Sequence, residues 1–189
     1  MKLTHRPRTH TRMSQKSIVD VFTPACDLLQ TARGPAVSLI TALASKKVIG
    51  LYFSADWCGP CRAFTPRLVQ FYNDLKARNA DDFEIVFVSR DRNAASFGAY
   101  YSKMPWLAIS YADNDVAAVL GDRYGVAGIP ALVLLDANGV LATVKGRELV
   151  TGKPAAFPWG IAAVERAARA LPPAAAKATC TPFATLPEI

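Results

Sequence analysis

Cys58 and Cys61 are the residues whose type and spacing most directly imply chemistry. They enclose Gly59 and Pro60 and follow Trp57, so the stretch reads WCGPC. A thiolate attacks a disulfide sulfur, and a second thiol three residues on can displace the mixed disulfide that results. Upstream, Val48–Ser54 is a continuous apolar run rich in strand formers. Downstream, Ala63, Phe64, Leu68, Phe71, Tyr72 and Leu75 recur at helical spacing, which predicts a helix over about 59–78. The cysteines are therefore expected where a buried strand turns into a helix, with Cys58 at the helix N-terminus. Free backbone N–H groups and the helix dipole favour an anion there, so Cys58 is expected as the nucleophile. Cys61, one turn on and on the same face, is expected as the resolving thiol. Gly59 and Pro60 set the helix start, where the missing N–H of proline costs nothing. Trp57 is expected to flank the nucleophile and to form part of a docking surface, with core packing as the alternative.

Two other readings of the pair compete with redox chemistry. A structural zinc would need two further ligands, but His5 and His10 lie in the N-terminal arm and no second CxxC exists. Two inert core cysteines would not need Trp, Gly and Pro around them. No metal is expected, and no cofactor beyond the redox-active Cys58–Cys61 disulfide. Cys26 and Cys180 read as incidental thiols.

The elements that must position the pair follow from the hydrophobic pattern. Val19–Gln30 is weakly amphipathic and reads as a short helix or lid carrying Cys26, and Val37–Leu43 reads as a strand. Pro66 should kink the active-site helix, because it lacks an N–H and clashes with the preceding turn. Phe83–Ser89 is the next strand, apolar enough to be central, and a polar turn, Arg90–Asn93, follows it. Helices are predicted near 94–102 and 114–124, with Met104–Ala108 between them as a loop or short edge element. Ala131–Leu135 and Val140–Lys145 flank Asp136-Ala-Asn-Gly139, a hairpin turn signal. Ala156–Leu171 is read as the last helix. This order predicts an α/β fold with a mixed central sheet and helices on both faces.

At 189 residues, 51% of them hydrophobic and 20% charged, the chain reads as one globular domain with extensions. The domain is expected over 18–171, between a basic flexible arm, 1–17, and a mobile Ala/Pro/Thr-rich tail, 172–189. No run of eighteen apolar residues exists, so no transmembrane helix is expected. Lys2, Arg6, Arg8, Arg12 and Lys16 account for all but +2 of the net charge of +7, so the basic signal belongs to the arm. The arm has no aromatic interleaving for nucleic acid and no apolar core of a secretory signal. A cytoplasmic monomer is expected, with mitochondrial targeting by the arm as the alternative.

The segment resembles the thioredoxin superfamily, and Pro66, five residues after Cys61, matches the kink proline of its active-site helix. YFSADWCGPCRAFTPRLVQFY is similar to YFSASWCPPCRGFTP of the tryparedoxin and nucleoredoxin branch, and Lys103–Ala108 and Phe157–Trp159 resemble it too. The motif departs from that branch in reading CGPC where CPPC is usual. The resemblance implies the thioredoxin fold and a cis peptide at Ile129-Pro130, with the Ile129 backbone presented to a substrate strand. Tyr52 stands at the position of the buried relay Asp of thioredoxins. It cannot ionise usefully near neutral pH, so proton transfer at Cys61 would need water or Asp91. Tryparedoxins commonly read Trp-Asp-Glu where this chain has Arg90-Asp91-Arg92, a change that favours anionic groups and deters a polyamine. Arg147 aligns with a basic residue of the family's substrate surface.

The function so implied is that of a tryparedoxin-type thiol–disulfide oxidoreductase. Electrons would pass from a low-molecular-weight thiol, trypanothione or glutathione, to protein disulfides such as those of peroxiredoxin-type peroxidases. The alternatives are a thioredoxin- or nucleoredoxin-like reductant served by a reductase, and a redox-sensitive binding module without turnover.

Overall fold

The computed structural model describes residues 22, 28–32, 34–78, 81–113 and 115–161. The arm over 1–17, Cys26, Cys180 and the tail over 172–189 lie outside these residues. Seven strands form one sheet: β1 (Leu28–Gln30), β2 (Val37–Ser38), β3 (Val48–Ser54), β4 (Phe83–Ser89), β5 (Leu107–Ile109), β6 (Ala131–Asp136) and β7 (Leu141–Thr143). Their spatial order is β2-β1-β5-β4-β3-β6-β7. β3 runs parallel to β4, from Val48 opposite Phe83 to Ser54 opposite Ser89, and antiparallel to β6. Every residue of β3 and β4 is buried, as an apolar run covered on both faces requires.

Side chains alternate across the pleat, so the sheet divides the core in two. On one face Tyr52, Ile85, Phe87, Leu132 and Leu134 pack against α2 (Gly59–Ala77) and α3 (Ala94–Tyr101). α2 contributes Phe64, Leu68, Phe71, Tyr72 and Leu75, and α3 contributes Phe97, Tyr100 and Tyr101. On the other face Ile49, Leu51, Phe53, Val86, Val88 and Val133 meet α1 (Leu39–Leu43) and α4 (Asp115–Arg123). Helices therefore cover both faces of a mixed sheet, as the sequence predicts. Pro66 lies inside α2, so the carbonyl of Arg62 lacks a helical donor. The hairpin turn forms as expected: Asp136 Oδ1 accepts from the N–H groups of Asn138 and Val140, and Gly139 supplies a φ of 76°.

Four local expectations are corrected. Within 37–43 only Val37–Ser38 is strand, and Leu39–Leu43 is helix, with Leu39 and Leu43 buried and Ile40 exposed. That spacing of four is helical, but a seven-residue stretch with Ser38 and Thr41 among five apolar residues does not distinguish the periods. Of the segment 19–30, read as a short helix or lid, Phe22 is helical, 19–21 and 23–27 lie outside the described residues, and 28–30 is strand β1, whose Leu29 is fully buried opposite Ile109. β1 and β2 extend the sheet beyond β5, so 104–108 leads into an internal strand rather than an edge. Finally, the helix expected over 156–171 does not begin at Ala156: Pro154–Ala156 is a single 3₁₀ turn, Phe157-Pro158 is cis, and Phe157 and Trp159 pack on Phe71. Ile161 is helical, and 162–171 lie outside the described residues.

A helix that the pattern does not reveal, α5 (Gly146–Gly152), sits behind β6. A Cβ on Gly146 would stand 2.5 Å from the carbonyl oxygen of Leu132, a backbone atom that cannot swing away. Gly98, inside α3, has open space around its missing Cβ. The two glycines should respond oppositely to alanine. Gly146→Ala is expected to destabilise by about 1–3 kcal/mol through overpacking, and Gly98→Ala to stabilise by about 0.5–1 kcal/mol through helix propensity. Urea unfolding of both variants checks the pair, and a stable Gly146→Ala protein would contradict this packing.

Candidate active site

The chain leaves β3 at Ser54, turns over 55–57 and enters α2 at Cys58, whose N–H donates to the Ala55 carbonyl at 3.2 Å. Cys58 is the N-cap: its φ of −89° and ψ of 109° are extended, and its Sγ accepts the Cys61 N–H at 3.2 Å. The sulfur thus does the work of a capping oxygen. Pro60 sits in the first turn, where it withholds no needed donor. Cys58 and Cys61 are joined by a disulfide, with Cα atoms 5.2 Å apart. Cys61 is 0% exposed and Cys58 6%, so the edge of Cys58 is the part an attacking or accepting sulfur can reach.

Opposite the pair, the Ile129-Pro130 peptide is cis, and the Ile129 carbonyl oxygen lies 3.7 Å from Cys58 Sγ. Ile129 packs with Ala55, Cys58 and Cys61. Arg147 acts behind this loop: its Nη1 donates to the Pro130 carbonyl at 3.1 Å, and its guanidinium stands 5.5 Å from the Phe64 ring centre. One side chain therefore ties α5 to the proline loop and to the face of α2.

Trp57 is 51% exposed, unusual for so large an aromatic, and is held in place. Its Nε1–H donates to the Arg90 carbonyl at 2.9 Å, and the Arg92 guanidinium lies 5.4 Å from its ring centre. The turn that supplies these contacts is itself pinned. Buried Asp91 accepts from the Asp56 N–H at 2.8 Å and from the Ser89 hydroxyl at 2.9 Å. Both carboxylate oxygens are thus engaged in bracing two loops, and neither bonds a cysteine. Arg62 also donates to the Asp56 carbonyl. Trp57, Arg90 and residues 126–129 line a groove of about 350 Å³ beside the sulfur.

Sequence reasoning missed one buried polar cluster. Tyr52 is fully buried, and its hydroxyl meets Thr65 Oγ1 at 2.8 Å and Ser54 Oγ at 3.0 Å. The Tyr100 hydroxyl closes a ring, 2.9 Å from Ser54 and 2.6 Å from Thr65. Thr65 also donates to the Cys61 carbonyl at 3.0 Å, which links the ring to the first turn of α2. Burial pushes the Tyr52 phenol far above its ordinary range, so it stays protonated and neutral. Ser54 ending an apolar strand and Thr65 on a buried helical stripe were the available signals. Tyr100 joins them only through the tertiary fold.

The Thioredoxin-like family model matches residues 46–141. Probable nucleoredoxin 1 of Arabidopsis thaliana is 47% identical over 123 residues, 65% of this chain but 21% of that protein. The match thus spans about a fifth of that relative's length. Tryparedoxin of Trypanosoma brucei brucei is 43% identical over 116 residues, 60% of this chain and 79% of that protein. Among solved structures, a tryparedoxin II complexed with glutathionylspermidine superposes with a TM-score of 0.68 at 37% identity, covering 76% of this chain and 99% of that one. The chain belongs to the thioredoxin-like family, as a redox protein related to tryparedoxin and nucleoredoxin.

Proposed function

We propose that the protein is a thiol–disulfide oxidoreductase that passes electrons from a low-molecular-weight thiol to protein disulfides. The observation that carries this reading is the Cys58–Cys61 disulfide at the N-terminus of α2, with Cys58 the one member of the pair that keeps any exposure and beside the Ile129 carbonyl. In the reduced protein the Cys58 thiolate attacks a partner sulfur, and the partner's second sulfur leaves as a thiolate. Cys61 then attacks Cys58 Sγ, releases the reduced partner and restores the disulfide. Cys61 must lose its proton for that step. Tyr52 stays neutral, and Asp91 is occupied by the Asp56 N–H and the Ser89 hydroxyl. Water, or the departing thiolate of the partner, is left to take that proton.

On the resemblance, the donor is a low-molecular-weight glutathionyl thiol, trypanothione or glutathione, and the acceptors are peroxiredoxin-type peroxidases. The related structure complexed with glutathionylspermidine supports a donor of the glutathionyl class. Reduction by a thioredoxin-type reductase is the alternative, in keeping with the nucleoredoxin relatives.

A coupled assay with a peroxiredoxin, supplied with electrons by either a glutathionyl thiol (trypanothione or glutathione) or thioredoxin reductase, separates these readings. Turnover with the glutathionyl thiol that vanishes in Cys58→Ser is expected. Turnover only with the reductase would replace the donor, and silence with both would leave a binding module instead of an enzyme. Cys61→Ser should behave differently from Cys58→Ser. It retains the first attack and should accumulate a covalent mixed disulfide through Cys58, seen as a dithiothreitol-sensitive mass increase. A trapped adduct on Cys61 in Cys58→Ser would reverse the assignment of the two thiols.

A further inference from the structure

The groove beside Cys58 carries a charge pattern that bears on which thiol compound it accepts. Its volume of about 350 Å³ falls within the range of small-ligand sites. Of its lining residues, Trp57, Arg90, Val126, Ala127, Gly128 and Ile129, only Arg90 is charged. The Arg90 guanidinium lies over the Phe53 ring, 5.9 Å from its centre, and against Gly121. Arg92 does not line the groove but lies 5.4 Å from the ring centre of Trp57, which does. Among the described residues neither arginine has a carboxylate within ion-pair distance, and Asp91 between them is turned inward to Asp56 and Ser89. The groove therefore carries one positive charge in its lining and a second beside its Trp57 wall, with no described carboxylate paired to either, an arrangement that fits a carboxylate.

We infer that Arg90 and Arg92 select a glutathionyl group whose glycine carboxylate is free, over one whose glycine is amidated by a polyamine. The inference rests on the oxidoreductase reading above and names the substrate class of that site. Glutathione ends in the carboxylate that this groove can pair. In glutathionylspermidine the same carbonyl is an amide, and the chain beyond it carries ammonium groups that the arginines repel. In the reaction, the Cys58 thiolate attacks one sulfur of glutathione disulfide, the S–S bond breaks, and one glutathione leaves as a thiolate that takes up a proton. Cys61 then attacks Cys58 Sγ and releases the second glutathione, so one dithiol becomes one disulfide and one glutathione disulfide becomes two glutathiones.

The test follows thiol loss from the reduced full-length chain, acid-quenched after mixing with glutathione disulfide or with glutathionylspermidine disulfide. The wild-type protein is expected to react about tenfold faster with glutathione disulfide at low salt. That ratio should shrink as ionic strength rises, because exposed charges are screened. The Arg90→Gln/Arg92→Gln double variant should bring the ratio close to one, and Arg92→Glu alone should move it towards the polyamine compound. Equal wild-type rates, a wild-type preference for the polyamine compound, or an unchanged ratio in the double variant would each overturn the inference. Uncharged 2-hydroxyethyl disulfide serves as the reference for the wild-type protein. If that reagent also fails to oxidise the cysteines, the oxidoreductase reading falls, and the selectivity falls with it.

Discussion

The contact between the Cys61 N–H and Cys58 Sγ is the interaction on which the site depends, because it makes a sulfur the cap of a nineteen-residue helix. A thiolate in that place takes an N–H bond and faces the positive end of the helix dipole. Hydrogen bonds to a charged group contribute about 1.5–3 kcal/mol, and the dipole about 0.3–1 kcal/mol. Burial acts against the thiolate, but Cys58 keeps some exposure while Cys61 has none, so the opposing term weighs more heavily on Cys61. On the proposed reading, one turn of helix is what separates the two thiols in reactivity.

Everything around this contact fixes its geometry. The all-buried β3 and β4 hold the point at which the chain turns into α2. Asp91 ties the 89–92 turn to the loop before Cys58, and that turn holds the Trp57 indole. On the other side Arg147 reaches from α5 to the Pro130 carbonyl and so positions the loop that places the Ile129 carbonyl beside the sulfur. Beneath α2, the hydroxyls of Tyr52, Ser54, Thr65 and Tyr100 satisfy one another and grip the Cys61 carbonyl. A neutral hydroxyl ring thus fills the space under the helix without placing a second negative charge near the thiolate.

The parts of this arrangement that were legible in the sequence are those encoded locally. The apolar strand, the CxxC and the helical stripe of Phe64, Leu68, Phe71 and Leu75 are contiguous, and each obeys one period. The cis bond at Pro130 was legible only through resemblance, since an isolated Ile-Pro before a strand signals no more than a strand start. What stayed hidden depends on long-range convergence or on elements too short to show a period. β1 is three residues long and is defined by its pairing with β5. α5 is seven residues long, begins in glycine and has no side-chain cap at its N-terminus, so it lacks the usual start signal. Arg147 aligned with a substrate-facing residue of the family, and the structure gives its guanidinium partners within the chain, Pro130 and Phe64. The hydroxyl ring joins Ser54 to Tyr100 across 46 positions, and no local pattern announces such a contact.

The most direct test of the central claim is the pH dependence of iodoacetamide alkylation at each cysteine of the reduced protein, resolved by peptide mass spectrometry. The account predicts that Cys58 is alkylated with a midpoint well below the free-thiol value of about 8.5, and that Cys61 is protected until the protein is unfolded. A Cys58 midpoint at or above the free-thiol value, or equal alkylation of both cysteines in the native protein, would contradict it.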